Sequence, residues 1–195
     1  MTTILHAIET SEIGGAESMM ISLAEHMDRG RYEPVVCLLA DGRVNAELQR
    51  RGIETVILPQ KPGLDGGWLV KLVKFVRRRN VKLMHAQEFA MNTCCSIASA
   101  VTGIPVVTTI QGKSYYPDRW RRRLAYRCVS KHSRMIAVSD DLKQFLVDKV
   151  GVDPRRVSTI HNGIDPGRHH SDDGGGAGIR KELGLGDRQP VVGTV

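Results

Sequence analysis

A chain of 195 residues is long enough to bury a sizeable core, and it fits one domain or one domain plus part of another. Its 41% hydrophobic and 25% charged residues are those of a soluble globular protein. No apolar run approaches a membrane span and no secretory leader opens the chain, so the expected location is the cytoplasm. The net charge of +7 is unevenly placed; it favours phosphate-bearing partners without choosing among nucleic acid, anionic lipid and small molecules.

The apolar run Ile4–Ile8 predicts a buried strand, and the stretch after it predicts a helix with Met19, Leu23 and Met27 on one face and Met20 and Ala24 beside them. Between them lie Thr10-Ser11-Glu12-Ile13-Gly14-Gly15-Ala16-Glu17. A glycine pair at a helix mouth suits a phosphate, because free N–H groups and the positive end of the helix dipole coincide there. The same pair also suits a tight turn that needs glycine for geometry alone, with Glu17 simply favouring the helix start. Neither the dinucleotide fingerprint nor the P-loop pattern is present.

Glu33–Ala40 reads as a strand, Arg43–Arg51 as a short helix and Ile53–Leu58 as a strand closed by Pro59. Gln60–Gly67 reads as a loop, and Trp68–Arg79 as a helix with Leu69, Leu72, Val73 and Val76 inward and three arginines at its end, where cations complement the dipole. Val81–Ala86 is the next strand, followed by a helix from Phe89 to Val101 that Gly103 ends, and then by the β-branched strand Ile104–Ile110. Gln111–Tyr116 is a polar loop leading to Pro117, placed as the first residue of a helix. In that helix the spacing puts Trp120, Leu124, Ala125, Cys128 and Val129 on one half, with Arg119, Arg122, Arg123 and Arg127 on the other. Arg134–Val138 is a strand, Ser139 caps a helix through Val150, and Val157–Ile160 is a last short strand. Cys37, Cys94, Cys95 and Cys128 lie in apolar surroundings without metal-ligand spacing, which suits reduced core thiols.

From Pro166 to Gly178 the chain has linker composition; Ile179–Leu183 can form a helical turn, and Pro190–Val195 reads as a strand cut off at its start. The expected organisation is therefore a domain over 1–165, a linker over 166–189 and the first strand of a further domain over 190–195. Alternating strands and helices predict an α/β fold, a Rossmann-like parallel sheet with helices on both faces, and ligands in such sheets gather at the carboxyl ends of the strands.

Five segments fall at those ends in order: Gly14-Gly15-Ala16-Glu17, His85-Ala86-Gln87-Glu88, Thr109-Ile110-Gln111-Gly112-Lys113, Ile136-Ala137-Val138-Ser139 and Ile160-His161-Asn162-Gly163-Ile164-Asp165. The set resembles the N-terminal domain of the GT-B glycosyltransferases, specifically the retaining, nucleotide-sugar enzymes of family 4. The resemblance implies two Rossmann-like domains facing across a cleft, the first holding mainly the acceptor and the second most of the donor. It assigns Gly14 and Gly15 to the donor phosphate region and His85, Gln87, Glu88, Gln111 and Lys113 to the acceptor. Gln87 and Gln111 stand where the family often has histidines, and glutamine orients a hydroxyl but is no general base. Most catalytic groups are expected in the second domain, so the 195 residues alone are expected to be inactive.

The partners implied are a nucleotide-sugar donor and a saccharide, lipid-linked or phosphorylated acceptor, with no metal, no other cofactor and no nucleic acid. His6 and His161 are expected to be structural. Arg119, Arg122, Arg123 and Arg127 form a candidate surface for anions or for the inner face of an anionic membrane. A competing reading is a non-catalytic module that docks on lipid or nucleic acid through this helix. It leaves the polar strand ends unexplained, and the scarcity of aromatic residues argues against single-stranded nucleic acid. A nicotinamide-dependent dehydrogenase would need a different glycine pattern after the first strand.

Overall fold

The structure, a computed structural model, describes residues 1–60, 65–113, 120–164 and 175–186. The chain divides into two compact units, Met1–Asn162 and Gly163–Val195. In the second, the described residues contribute one helix, Gly175–Glu182, which begins inside the glycine run read as linker. The expected strand over 190–195 and Pro117 lie outside the described residues.

The first unit is a sheet of seven strands: β1 (Thr2–Ala7), β2 (Tyr32–Leu38), β3 (Glu54–Ile57), β4 (Leu83–Gln87), β5 (Val106–Ile110), β6 (Ser133–Ala137) and β7 (Val157–Thr159). Every pairing is parallel, in the order β3-β2-β1-β4-β5-β6-β7. Helices α1 (Gly15–Glu25) and α2 (Arg43–Arg50) join the strands running one way from β1. Helices α3 (Gly66–Arg78), α4 (Phe89–Thr102), α5 (Trp120–His132) and α6 (Asp140–Phe145) serve the crossover back and the strands running the other way. Right-handed crossovers put the first pair on one face of the sheet and the other four on the opposite face.

The core agrees. Ile8, Val36 and Leu38 meet Met20, Ile21, Ala24, Val44 and Leu48 from α1 and α2. On the other face Leu5, Ala7, Val35, Cys37, Met84 and Ala86 meet Trp68, Leu72, Val76, Met91 and Cys95 from α3 and α4. Alternate residues of one strand thus serve opposite layers. Gly103 ends α4 at φ 74°, a left-handed cap that glycine adopts without a Cβ penalty. Trp68, fully buried, donates its indole N–H to the Leu58 carbonyl at 2.7 Å.

Three helices differ from expectation. In α1 the buried residues are Glu17, Met20, Ile21 and Ala24, while Leu23 is exposed and Met27 lies beyond the helix end. The face is rotated because the Glu17 carboxylate is drawn back to Thr10 and Gly14. Helix α3 starts two residues early because the Asp65 carboxylate accepts the Trp68 N–H, so Gly66 and Gly67 join the helix. In α5 the buried residues are Tyr126, Val129 and Ser130, and Trp120, Leu124 and Cys128 are turned to solvent. Its inward arc includes Arg122, because Tyr126 meets the Phe89 ring edge-on at 5.2 Å and Arg122, one turn earlier, lies over the same ring at 5.1 Å.

Candidate functional site

The direction of the strand order reverses between β1 and β4, and at such a switch point the chains leaving the two strands diverge and open a crevice. A cavity of about 490 Å³ lies there, beyond the carboxyl ends of β1, β4 and β5. Glu9 and Thr10 follow β1, and Gly15, Ala16 and Glu17 open α1. Glu88, Phe89 and Ala90 follow β4, Thr109 to Gly112 end β5, and Arg122 and Tyr126 come from α5.

Among the described residues, three carboxylates and one guanidinium line this space. Glu17 is buried; its carboxylate accepts the Thr10 hydroxyl and, at 3.0 Å, the Gly14 N–H. The mouth of α1 is therefore closed by a side chain of its own first turn, and a Cβ at Gly14 would lie 2.8 Å from the Glu17 oxygen. Gly15 faces the cavity with open space where a Cβ would be. Glu88 has φ 65°, an uncommon conformation for a residue with a side chain, and its carboxylate accepts the Glu9 N–H at 3.1 Å. Burial, with help from the neighbouring Glu17 and Glu9 charges, raises the Glu88 pKa.

Beneath the cavity the register pairs His6 with His85. Their Nδ1 atoms are 3.1 Å apart, so one ring donates to the other, and His85 Nε2 lies 2.8 Å from the Thr109 hydroxyl. Both rings are buried, and desolvation holds them neutral, with the pKa of His6 lowered to about 3 and that of His85 to about 4. His6 Nε2 has no hydrogen-bond partner among the described residues. The pair fixes the floor on which Thr109 stands.

A second polar row runs along the end of β5. The Gln111 amide N–H donates to Gln87 Oε1 at 3.2 Å, and the Asn162 amide donates to Gln111 Oε1 at 3.0 Å. Lys113 is drawn aside: its ammonium pairs with Asp141 and lies 5.6 Å from the centre of the Phe145 ring.

Of the residues singled out from sequence, Gly15, Glu88, Gln111 and Arg122 line the cavity; Gly14, His85, Gln87 and Lys113 do not. His85 and Gln87 are buried behind Thr109 and Gln111. Arg122 was grouped with the surface arginines but faces the cavity, whereas Arg123 and Arg127 are exposed and Arg119 lies outside the described residues. His6, expected to be structural, is buried against His85, and exposed His161 Nδ1 lies 3.2 Å from the Val138 carbonyl. Glu9, Phe89 and Tyr126 were missed. Glu9 sits directly after a buried strand, and Tyr126 stands four residues after Arg122, so both were within reach of the spacing.

The fold has relatives among solved structures. HepE of Anabaena in complex with UDP-glucose superposes with a TM-score of 0.79 at 22% identity, over 94% of this chain and 50% of that one. A glycosyltransferase from Rickettsia africae gives 0.76 at 18% identity, over 97% of this chain and 51% of that one. By sequence the chain is 24% identical over 107 residues to the Escherichia coli UDP-Gal:alpha-D-GlcNAc-diphosphoundecaprenol alpha-1,3-galactosyltransferase, which is 50% of this chain and 27% of that protein. The chain thus spans about half the length of the structures it matches. The seven-stranded parallel sheet has the Rossmann-like fold of the N-terminal half of GT-B structures. Residues 13–168 match Glycosyltransferase Family 4, and the chain belongs to that family.

Proposed function

We propose that the protein to which this chain belongs transfers a sugar from a nucleotide-sugar, with retention at the anomeric carbon, and that this half holds the acceptor. The observation that carries the reading is the family match over residues 13–168 together with a cavity at the switch point lined by hydroxyl-binding groups. Among the described residues the cavity presents Glu9, Glu17 and Glu88 against the cation Arg122, which suits the hydroxyl groups of a saccharide better than a diphosphate. Glu88 and Gln111 contact the acceptor in this reading, His85 and Gln87 position Thr109 and Gln111 from behind, and Lys113 stands at the rim. Of the glycine pair expected near the donor phosphates, Gly15 is the open position, whereas the Gly14 N–H is taken by Glu17. A lipid-linked acceptor is supported by the acceptor named for the E. coli relative.

We assign residues 1–165 to the acceptor domain, 166–189 to the connection and 190–195 to the first strand of a donor domain; the division after Asn162 supports the first boundary. Among the described residues no helix is long and apolar enough to cross a membrane. The solvent face of α5 combines Trp120, 67% exposed, and Leu124, 52% exposed, with Arg121, Arg123 and Arg127. In this reading that face rests on the inner, anionic surface of the membrane, the aromatic ring at headgroup depth and the cations on the phosphates.

The test is a transfer assay on the full-length protein with a panel of UDP- and GDP-sugars and diphospholipid-linked saccharide acceptors, the product anomer being read by NMR. Transfer with retention is expected, with Glu88→Gln and Gln111→Ala raising KM for the acceptor more than for the donor. Absence of transfer from every donor, or effects confined to donor KM, would reject the acceptor assignment.

A further inference from the structure

A second basic site lies at the other end of the sheet. Helix α5 ends at His132, immediately before β6, and the short 3-10 turn Pro154–Arg156 leads directly into β7. Both therefore sit at the amino ends of the strands, away from the cavity. Between them is a groove of about 290 Å³ lined by Arg127, Ser130, Lys131, Gly151, Asp153 and Arg156.

Among the described lining residues, the cationic charge of this groove exceeds the anionic. Its one carboxylate, Asp153, is engaged by Arg155, whose Nε lies 3.2 and 3.3 Å from the two oxygens and whose terminal nitrogen lies 2.9 Å from one of them. Arg155 is not a lining residue, so most of the charge that meets the acid comes from outside the groove, with a smaller contribution from Arg156 within it. Neighbouring guanidiniums are also satisfied: Arg134 donates to the Arg155 carbonyl at 2.9 Å, and Arg123 to the Lys149 carbonyl. Arg127, Lys131 and Arg156, by contrast, have no side-chain hydrogen bond or ion pair among the described residues. Three cations are thus left facing one small space.

The groove is also shaped. Gly151 has φ 82°, and a Cβ there would meet the Arg127 side chain at 3.5 to 3.7 Å, so the guanidinium is laid along bare backbone at the edge of the groove. A planar donor fork fixed beside two more cations matches the oxygens of a phosphate group. We infer that this groove is a binding site for a phosphate or diphosphate group, formed by Arg127, Lys131 and Arg156 and separate from the acceptor cavity. The inference does not depend on the transfer reaction. The phosphate comes from a lipid headgroup or from a free phosphorylated molecule, and the recognition chemistry is the same for both.

The experiment is a titration of the chain with inorganic pyrophosphate at low ionic strength, followed by amide NMR. Saturable shifts are expected at Ser130, Lys131 and Gly151–Asp153, resolved from any at Gly15 or Gly112 in the cavity. Arg127→Gln and Arg156→Gln should each weaken this binding by about tenfold or more, as expected for loss of a charge-assisted hydrogen bond. Arg31→Gln, on the Tyr32 ring elsewhere, should leave it unchanged. In a second arm, sedimentation with phosphatidic acid vesicles that pyrophosphate reverses assigns a lipid source; pyrophosphate binding without vesicle retention assigns a free one. Shifts absent from the groove, or weakened equally by all three substitutions, would overturn the site and leave a diffuse basic surface.

Discussion

Acidifying the protein should unload the histidine pair, and the structure sets the size of the effect. His6 and His85 are ordinary imidazoles in the unfolded chain, near pKa 6.5, but in the fold they are held near about 3 and about 4. Both folded values are depressed, so stability is full above pH 6.5 and is lost as pH falls toward them, because the unfolded chain takes up protons that the fold refuses. One pKa unit corresponds to about 1.4 kcal/mol, so at pH 5.5 each histidine costs about 1.4 kcal/mol and the pair about 3 kcal/mol relative to pH 7.5. A domain of this size has only about 5–15 kcal/mol to lose. The raised pKa of Glu88 has the opposite sign, its folded form gaining relative stability as pH falls, so Glu88 opposes the histidine slope. Urea unfolding followed by far-UV circular dichroism at pH 7.5, 6.5 and 5.5, at constant ionic strength, reads the slope directly. His6→Gln should flatten it by about half, and subtracting the variant removes the other histidines. A wild-type midpoint that stays level from pH 7.5 to 5.5, or a variant that keeps the whole slope, would refute the burial argument.

Other perturbations separate structure from function in the same region. Gly15→Val meets open space, so its thermal midpoint should move by no more than about 3 °C, while acceptor or donor KM in the full-length enzyme rises. Glu17→Gln weakens the bonds to Thr10 and the Gly14 N–H and should destabilise by about 1 kcal/mol, measured by urea unfolding at pH 7.5. Trp68→Phe deletes the buried indole that donates to the carbonyl of half-buried Leu58 and should cost about 1–3 kcal/mol in the same assay, with m unchanged.

The alternation of strands and helices was legible because parallel strands buried on both faces read as continuous apolar runs, such as Val35–Leu38, or as β-branched ones, such as Val106–Ile110. Which face of a helix turns inward was less so. In α1 an acid, Glu17, is buried through local bonds that hydrophobic periodicity does not count. In α5 the larger apolar side chains Trp120 and Leu124 lie outside, and an arginine lies inside against Phe89. The cavity wall contributed by β4 and β5 could be placed from strand ends alone. Its depth could not: Gln87 ends β4 and Gln111 directly follows β5, yet one is buried and the other lines the cavity. That distinction depends on packing across neighbouring strands, which a single sequence does not display.

The row of amides from Gln87 through Gln111 to Asn162 has a mechanical consequence. The carboxamide of Gln111 is one rigid plane, with its nitrogen committed to Gln87 and its oxygen to Asn162. Asn162 is also the last residue of the first compact unit, the point at which the chain departs from it. A ligand in the cavity that turns this plane strains both bonds in a single rotation, like a key turning two wards at once. A side chain that lines the cavity and the residue where the chain departs are therefore joined through one carboxamide, and Gln111→Leu, which keeps the bulk and deletes both polar ends, would uncouple them.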